Sequence, residues 1–207
     1  MTEWNQILRD EIYSPEEPDD FVIHFLSKLH KKQKIRILDL GCGRGRHVVY
    51  AATHGFEAHG IDASDTGLTA TKKKIRDVDA YLVKCDMRML PYKRSCFDIV
   101  ISLRTIYHQR LDDVRKTISE IKRILNRNGS MLIDFLSKRT YSYGKGIFVE
   151  ENTFIEEDGP EKGVIHYFVD RKELEKLFKG FKRLNMELRE KQVEGKRRSR
   201  WIVMANA

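Results

Sequence analysis

Residues 37 to 47 read ILDLGCGRGRH, a short apolar run that ends in three alternating glycines. It passes at once into GRHVVYAATHG (45 to 55), which has helical spacing. A strand that turns through glycines into a helix is the opening unit of an open α/β sheet, whose ligands bind at the carboxyl ends of the strands. The rest of the chain repeats the alternation. FEAHGID (56 to 62) reads as a second strand and ASDTGLTATKKKIR (63 to 76) as a helix capped by Ser64 or Asp65. DAYLVKCD (79 to 86) and FDIVISL (97 to 103) follow as strands, the latter apolar on both faces and so central. DDVRKTISEIKRIL (112 to 125) sets Val114, Ile118, Ile121 and Leu125 on one helical stripe. NRNG (126 to 129) is expected to stop that helix before a fifth strand, SMLIDFLS (130 to 137). DRKELEKLFKG (170 to 180) is a last helix, and FKRLNMELREKQV with SRWIVMANA forms a closing hairpin. Upstream, DDFVIHFLSKL (19 to 29) is a further helix.

These elements predict a Rossmann-like three-layer α/β sandwich with a seven-stranded, mostly parallel sheet and an antiparallel C-terminal hairpin strand. At 207 residues the chain has room for one full core, so residues 1–207 are expected to form a single domain. Within it, residues 1–33 read as an N-terminal helical lid, and 138–166, which break the rhythm, as an insertion near the active site. Cys42, Cys85 and Cys96 are dispersed and form no C-x-x-C pair, so a reducing, cytoplasmic setting is expected. The first twenty residues carry no apolar signal-peptide core, and no apolar run is long enough to span a membrane. The formal charge is +8, but Lys and Arg alternate with Glu and Asp, and EENTFIEED (150 to 158) is acidic. The surplus therefore reads as solvated helix faces and argues against a nucleic-acid partner.

The glycine loop discriminates among ligands. A phosphate loop needs G-x-x-x-x-G-K-[ST], whereas Gly41 is followed by Gly45, Arg46 and His47. A dinucleotide turn needs its third glycine at position 46, which is Arg46. Asp39, two residues before the first glycine, would also repel a pyrophosphate. It suits a ligand with a positive charge, such as S-adenosylmethionine, whose ammonium an acid can neutralise directly or through water. Asp62 follows Gly41 by 21 residues at a strand end, where an acid can accept from both ribose hydroxyls. Asp86 ends the third strand in KCDMRMLPY, where its carboxylate can reach the adenine amino group and Met87 can offer its amide. The bland alternative for Asp86 is a helix cap.

ILDLGCGRGRH, HGIDAS, KCDMRMLPY, FDIVISLRTIYH and ISEIKRILNRNGSMLIDF resemble, in order, the motifs of class I S-adenosylmethionine-dependent methyltransferases of the small-molecule, methyltransferase-11/25-like type. The resemblance covers residues 35 to 137, with Asn128 and Ser130 standing where the family often has proline and glycine. It implies S-adenosylmethionine as cofactor and S-adenosylhomocysteine as product, with no metal. The cofactor set is expected to comprise Asp39, Gly41, Cys42, Gly43, Gly45, Asp62, Ala63, Asp86, Met87, Ser102 and Leu103, with Tyr13 closing over the sulfonium as a cation–π partner.

Tyr107 and His108 follow the fourth strand and are the candidate catalytic residues; His108 either acts as general base or lines the pocket. Tyr141, Tyr143 and RRSRW (197 to 201) are candidates to complete an acceptor pocket. The other histidines show no ligand spacing, so no metal site is expected. The implied activity is in-line methyl transfer to a small-molecule acceptor by a monomer or homodimer. Two alternatives stand beside it: an RNA or other nucleic-acid methyltransferase, disfavoured because SLRT replaces a D/N-P-P-Y stretch, and a non-catalytic cofactor-binding protein.

Overall fold

β1 (Arg36–Leu40) sits in the middle of the sheet, with β2 (Glu57–Asp62) and β4 (Phe97–Ser102) parallel on either side. Its Ile37, Leu38 and Leu40 are at most 1% exposed, as a parallel strand covered on both faces requires. The computed structural model describes residues 3–9, 16–29, 35–76 and 78–207. Beyond β2 lies β3 (Ala80–Lys84), and beyond β4 lies β5 (Leu125–Ser137). The terminal hairpin adds β10 (Lys196–Asn206) antiparallel to β5, with β9 (Lys182–Val193) outermost. Glu194 and Gly195, at φ 51° and 72°, make its two-residue turn, the left-handed pair that matches strand twist. The principal sheet thus runs β3-β2-β1-β4-β5-β10-β9.

Alternation along the strands fills both faces. Ile37, Ile99, Ile101 and Leu132 pack against Val22 and Leu26 of α2 (Asp20–Ser27) and Val48 and Ala51 of α3 (Arg46–Thr53). Leu38, Leu40, Val100 and Ile133 pack against Val114, Ile118 and Ile121 of α5 (Leu111–Ile124) and Leu174 of α6 (Arg171–Leu177). The expected three layers are present. α4 (Asp65–Lys74) is capped by Ser64, whose hydroxyl accepts from Gly67 N–H. α6 begins with a reciprocal capping box between Asp170 and Glu173. Among the described residues, no helix is long and apolar enough to cross a membrane.

Two expectations change. Asn126–Gly129 does not separate helix from strand: α5 ends at Ile124 and β5 starts at Leu125, with the register against β4 shifting after Phe97↔Leu125. Asn126 then donates to Asp98 (2.7 Å), which also accepts Arg36 N–H, so Asp98 ties strand starts together. Second, the sheet has ten strands and not seven. The extra three are β6 (Ile147–Glu150), β7 (Thr153–Ile155) and β8 (Ile165–Val169), most of them drawn from the segment read as an insertion. β8 pairs parallel with Leu136 and Ser137, past the point where β4 ends, and β7 and β6 follow antiparallel. Strands of three to five residues in a glycine-broken segment carry little periodic signal, and only β8 has a distant partner, β5.

Asp134, fully buried on β5, holds this carboxyl edge together. It accepts from Arg104 N–H (2.6 Å) and from the Arg200 guanidinium (3.0 Å). Burial pushes its carboxyl up, and Arg200 opposes that. Arg200→Ala should strand a buried charge and cost about 2 kcal/mol, below the usual loss for a broken buried pair because the Arg104 amide remains. Asp134→Asn should cost less, since the charge it leaves unpaired, on Arg200, is partly exposed to water. Urea unfolding of both variants checks this; equal losses would show that the stranded charge is not the cause.

Candidate active site

The strand order reverses between β1 and β4, since the chain leaves β1 toward β3 and returns at β4 toward β5. Open α/β sheets bind ligands at such a switch point, beside the loops that follow the two strands. Here those loops are Gly41–Gly45 and residues 103–110.

The first loop is shaped by close approach. Gly41 and Cys42 N–H both donate to Ile61 O, at 2.9 and 2.8 Å. A Cβ on Gly41 (φ 77°) would lie 2.0 Å from Thr105 Cγ2, and one on Gly45 (φ 82°) 2.3 Å from Thr71 Cγ2. The alternating glycines therefore let the two loops and α4 meet. Thr71 Oγ1 donates to Gly43 O (2.9 Å), which fixes the loop from beneath.

Asp39 is 3% exposed on the α3 side of β1, and its Oδ2 has no hydrogen-bond partner among the described residues. His47 Nδ1 is 3.7 Å away. His47 Nε2 accepts from Asp19 N–H (3.3 Å), so the proton of the neutral ring resides on Nδ1, toward Asp39. Asp62 accepts Gly43 N–H on Oδ2 and Ser64 N–H on Oδ1, each at 2.8 Å, and burial raises its carboxyl. Its carboxylate, with about four lone-pair sites, keeps accepting capacity beyond these backbone donors. Ala63 is exposed at the same edge. Cys42 is buried, and burial with Asp39 and Asp62 nearby pushes its thiol well up, so it supplies backbone and not a thiolate. Asp86 is half-exposed and gripped by the Arg88 guanidinium, which also reaches Asp113 (2.9 Å). Met87 packs under Gln109, whose amide lies 3.1 Å from its sulfur. Ser102 is fully buried, its hydroxyl donating to Leu40 O (3.1 Å), and Leu103 belongs to the core.

α1 (Glu3–Ile7) clasps this edge. Asn5 Oδ1 accepts from Ser64 Oγ (2.8 Å), and Asn5 O from Thr66 Oγ1 (3.0 Å). Trp4 meets the His108 ring edge-on at 4.7 Å. Tyr13 lies outside the described residues.

In the second loop, Tyr107 is buried and its ring lies 4.4 Å from that of His108. Burial keeps the Tyr107 phenol protonated and pushes the His108 imidazole down to about 4. His108 Nδ1 donates to Ile165 O (3.3 Å), which leaves Nε2 with a free lone pair. β8 is anchored here by Tyr167 N–H to Tyr107 O (2.8 Å). The fold thus brings His166 and Glu161, 58 and 53 residues further along the chain, to His108. Linear spacing carries no signal for that cluster, which assembles only when β8 pairs with β5. Tyr143 and Tyr141 do not join it. Tyr143 donates to Asn152 (2.8 Å), and Tyr141 stands at the surface between the Lys145 and Lys196 ammoniums.

A methyltransferase-domain family model matches residues 38–133. The putative methyltransferase YqeM of Bacillus subtilis is 32% identical over 131 residues, 61% of this chain and 51% of that protein. A ubiquinone biosynthesis O-methyltransferase of Pelagibacter ubique is 32% identical over 127 residues, 60% of this chain and 50% of its own length. The chain therefore spans about half the length of these curated relatives. A solved S-adenosylmethionine-dependent methyltransferase from Methanosarcina mazei has a TM-score of 0.76 over 92% of this chain and 98% of its own, at 19% identity, which shows a shared fold. Motifs and strand order agree with that match, and over residues 38–133 the chain is similar to the class I S-adenosylmethionine-dependent methyltransferases.

Proposed function

We propose that the protein transfers the methyl group of S-adenosylmethionine to a small-molecule acceptor. The observation that carries this is Asp39: a buried carboxylate with an unpartnered oxygen beside a glycine loop calls for a cation. The α-ammonium of the cofactor is such a cation. Asp62 takes the ribose hydroxyls with its spare lone pairs, beside Ala63. The backbone of Gly41, Cys42, Gly43 and Gly45 borders the methionine part, together with Ser102 and Leu103. Asp86 and Met87 serve the adenine; the competing Asp86–Arg88 pair is exposed and therefore weak, worth at most about 1 kcal/mol. Tyr13 is assigned to the sulfonium on its sequence position alone.

The sulfonium is already activated, so the protein's work is positioning and water exclusion. The acceptor's electron pair forms the new bond to the methyl carbon as the carbon–sulfur pair leaves with sulfur, yielding S-adenosylhomocysteine. Tyr107 and His108 orient the acceptor, and α1 with the β6–β8 meander covers it. The methyltransferase-domain match at residues 38–133 includes the glycine loop, and similarity to an O-methyltransferase of ubiquinone biosynthesis supports a small acceptor.

Calorimetry with S-adenosylmethionine and S-adenosylhomocysteine tests the reading. Asp39→Asn should weaken both at least about tenfold, the loss of one charge-assisted contact. The wild type failing to bind either compound would overturn the proposal. His108→Ala should leave cofactor affinity unchanged while lowering turnover about a hundredfold with any acceptor found in a small-molecule panel. Affinity for duplex or single-stranded nucleic acid should be weak and vanish with salt; tight, steeply salt-dependent binding would favour the nucleic-acid alternative.

A further inference from the structure

Beside the cofactor loop, the structure gathers three metal-ligating side chains that methyl transfer does not itself require. His108 from the loop after β4, Glu161 from the β7–β8 loop and His166 from β8 offer ligand atoms that all lie within 4.8 Å of one another. His166 is 6% exposed, yet its Nε2 has no hydrogen-bond partner among the described residues. Glu161 Oε2 lies 2.9 Å from that nitrogen but off the direction of a ring N–H bond. A plain histidine–carboxylate hydrogen bond would align; two donors converging on a third atom need not.

The outer contacts match as well. A metal-bound histidine hands its other ring nitrogen to a carbonyl or carboxylate, which fixes the tautomer. His108 Nδ1 donates to Ile165 O at 3.3 Å, and His166 Nδ1 faces Glu156 Oε2 at 3.5 Å. Against its burial, the two imidazoles and the neighbouring Arg104 guanidinium hold the Glu161 carboxyl below its ordinary value. Two imidazoles and one carboxylate form a borderline donor set, suited to zinc and similar transition ions and not to magnesium or calcium. Ligands of a tetrahedral zinc stand roughly 3.4 Å apart, so the most separated pair of ligand atoms, within 4.8 Å, needs to close by at most about 1.4 Å.

We propose that His108, Glu161 and His166 form a facial site for one divalent transition-metal ion of the zinc type, which binds the methyl acceptor through an ionisable hydroxyl or thiol. The proposal rests on the methyltransferase reading for its role in the reaction, though not for the binding of the ion. Three protein ligands leave positions open, and the carboxylate side of the site is partly exposed, as an entering acceptor needs. The ion lowers the pKa of the bound hydroxyl or thiol, whose proton passes to water. The resulting anion forms its bond to the methyl carbon, and the carbon–sulfur pair returns to sulfur. His108 then orients the acceptor as a ligand to the ion and needs no proton of its own.

The test uses the full-length protein, stripped with a chelator and titrated with Zn²⁺, Co²⁺ and Mg²⁺ by calorimetry and elemental analysis. One Zn²⁺ per chain is expected, with a Co²⁺ visible spectrum of four- or five-coordinate nitrogen and oxygen ligation. His166→Gln and Glu161→Gln should each weaken Zn²⁺ binding at least about tenfold. Thermal unfolding and S-adenosylmethionine calorimetry of the same variants separate loss of the ion from loss of the fold, and both should be retained. Zn²⁺ absent at stoichiometric level, or bound equally well by the two folded variants, overturns the proposal. Selective Mg²⁺ binding also overturns it. Failure of the stripped wild type to bind S-adenosylmethionine would instead strike the methyltransferase reading and leave the ion titration to stand by itself.

Discussion

The carboxyl edge of this sheet depends on one steric allowance: the loop after β1 can lie against the loop after β4 and against α4. Side chains on Gly41 and Gly45 would drive into Thr105 and Thr71 at less than 2.5 Å, so no other residue type permits that approach. With the loop seated, Gly43 N–H reaches Asp62, and its carbonyl is held by Thr71. The buried end of β1 then presents Asp39 beside a backbone surface instead of a wall of side chains. Everything assigned to the cofactor follows from that geometry.

Asp134 does for the loop after β4 what the glycines do for the loop after β1. Arg104 adopts φ 59°, a left-handed conformation that costs a non-glycine residue about 1 kcal/mol, and its N–H donates to Asp134. The turn it creates throws Thr105 toward Gly41 and carries Tyr107 and His108 over the edge. Arg200, arriving from the last strand, compensates the Asp134 charge. The C-terminal hairpin is therefore coupled electrically, as well as by pairing, to the loop that holds the candidate catalytic residues.

The β6–β8 meander and α1 both pack on the loop after β4 or the start of α4, through backbone as well as side chains. Tyr167 N–H bonds to Tyr107 O, and Leu111 N–H to Glu150. Asn5 binds the start of α4 while its neighbour Trp4 touches His108. These contacts join the start of α4 to the loop after β4 through α1.

The alternation of apolar strands with amphipathic helices and the glycine spacing made the layered fold and the close-packed loop after β1 legible in the amino-acid sequence. These are local signals: period 2 and period 3.6 report burial, and glycine reports a backbone that no side chain can share. Asp39 and Asp62 are readable for the same reason, since each stands one strand length from a turn. The three extra strands, the Asp134–Arg200 pair and the meeting of His108 with Glu161 and His166 carry no such signal. The β8–β5 pairing, the contacts of Asp134 and the contact of His108 with β8 join residues separated by 30 to 66 positions. Only the pairing of β8 and β10 with β5 puts them in contact, because a strand's partners are chosen by the sheet and not by its own side chains.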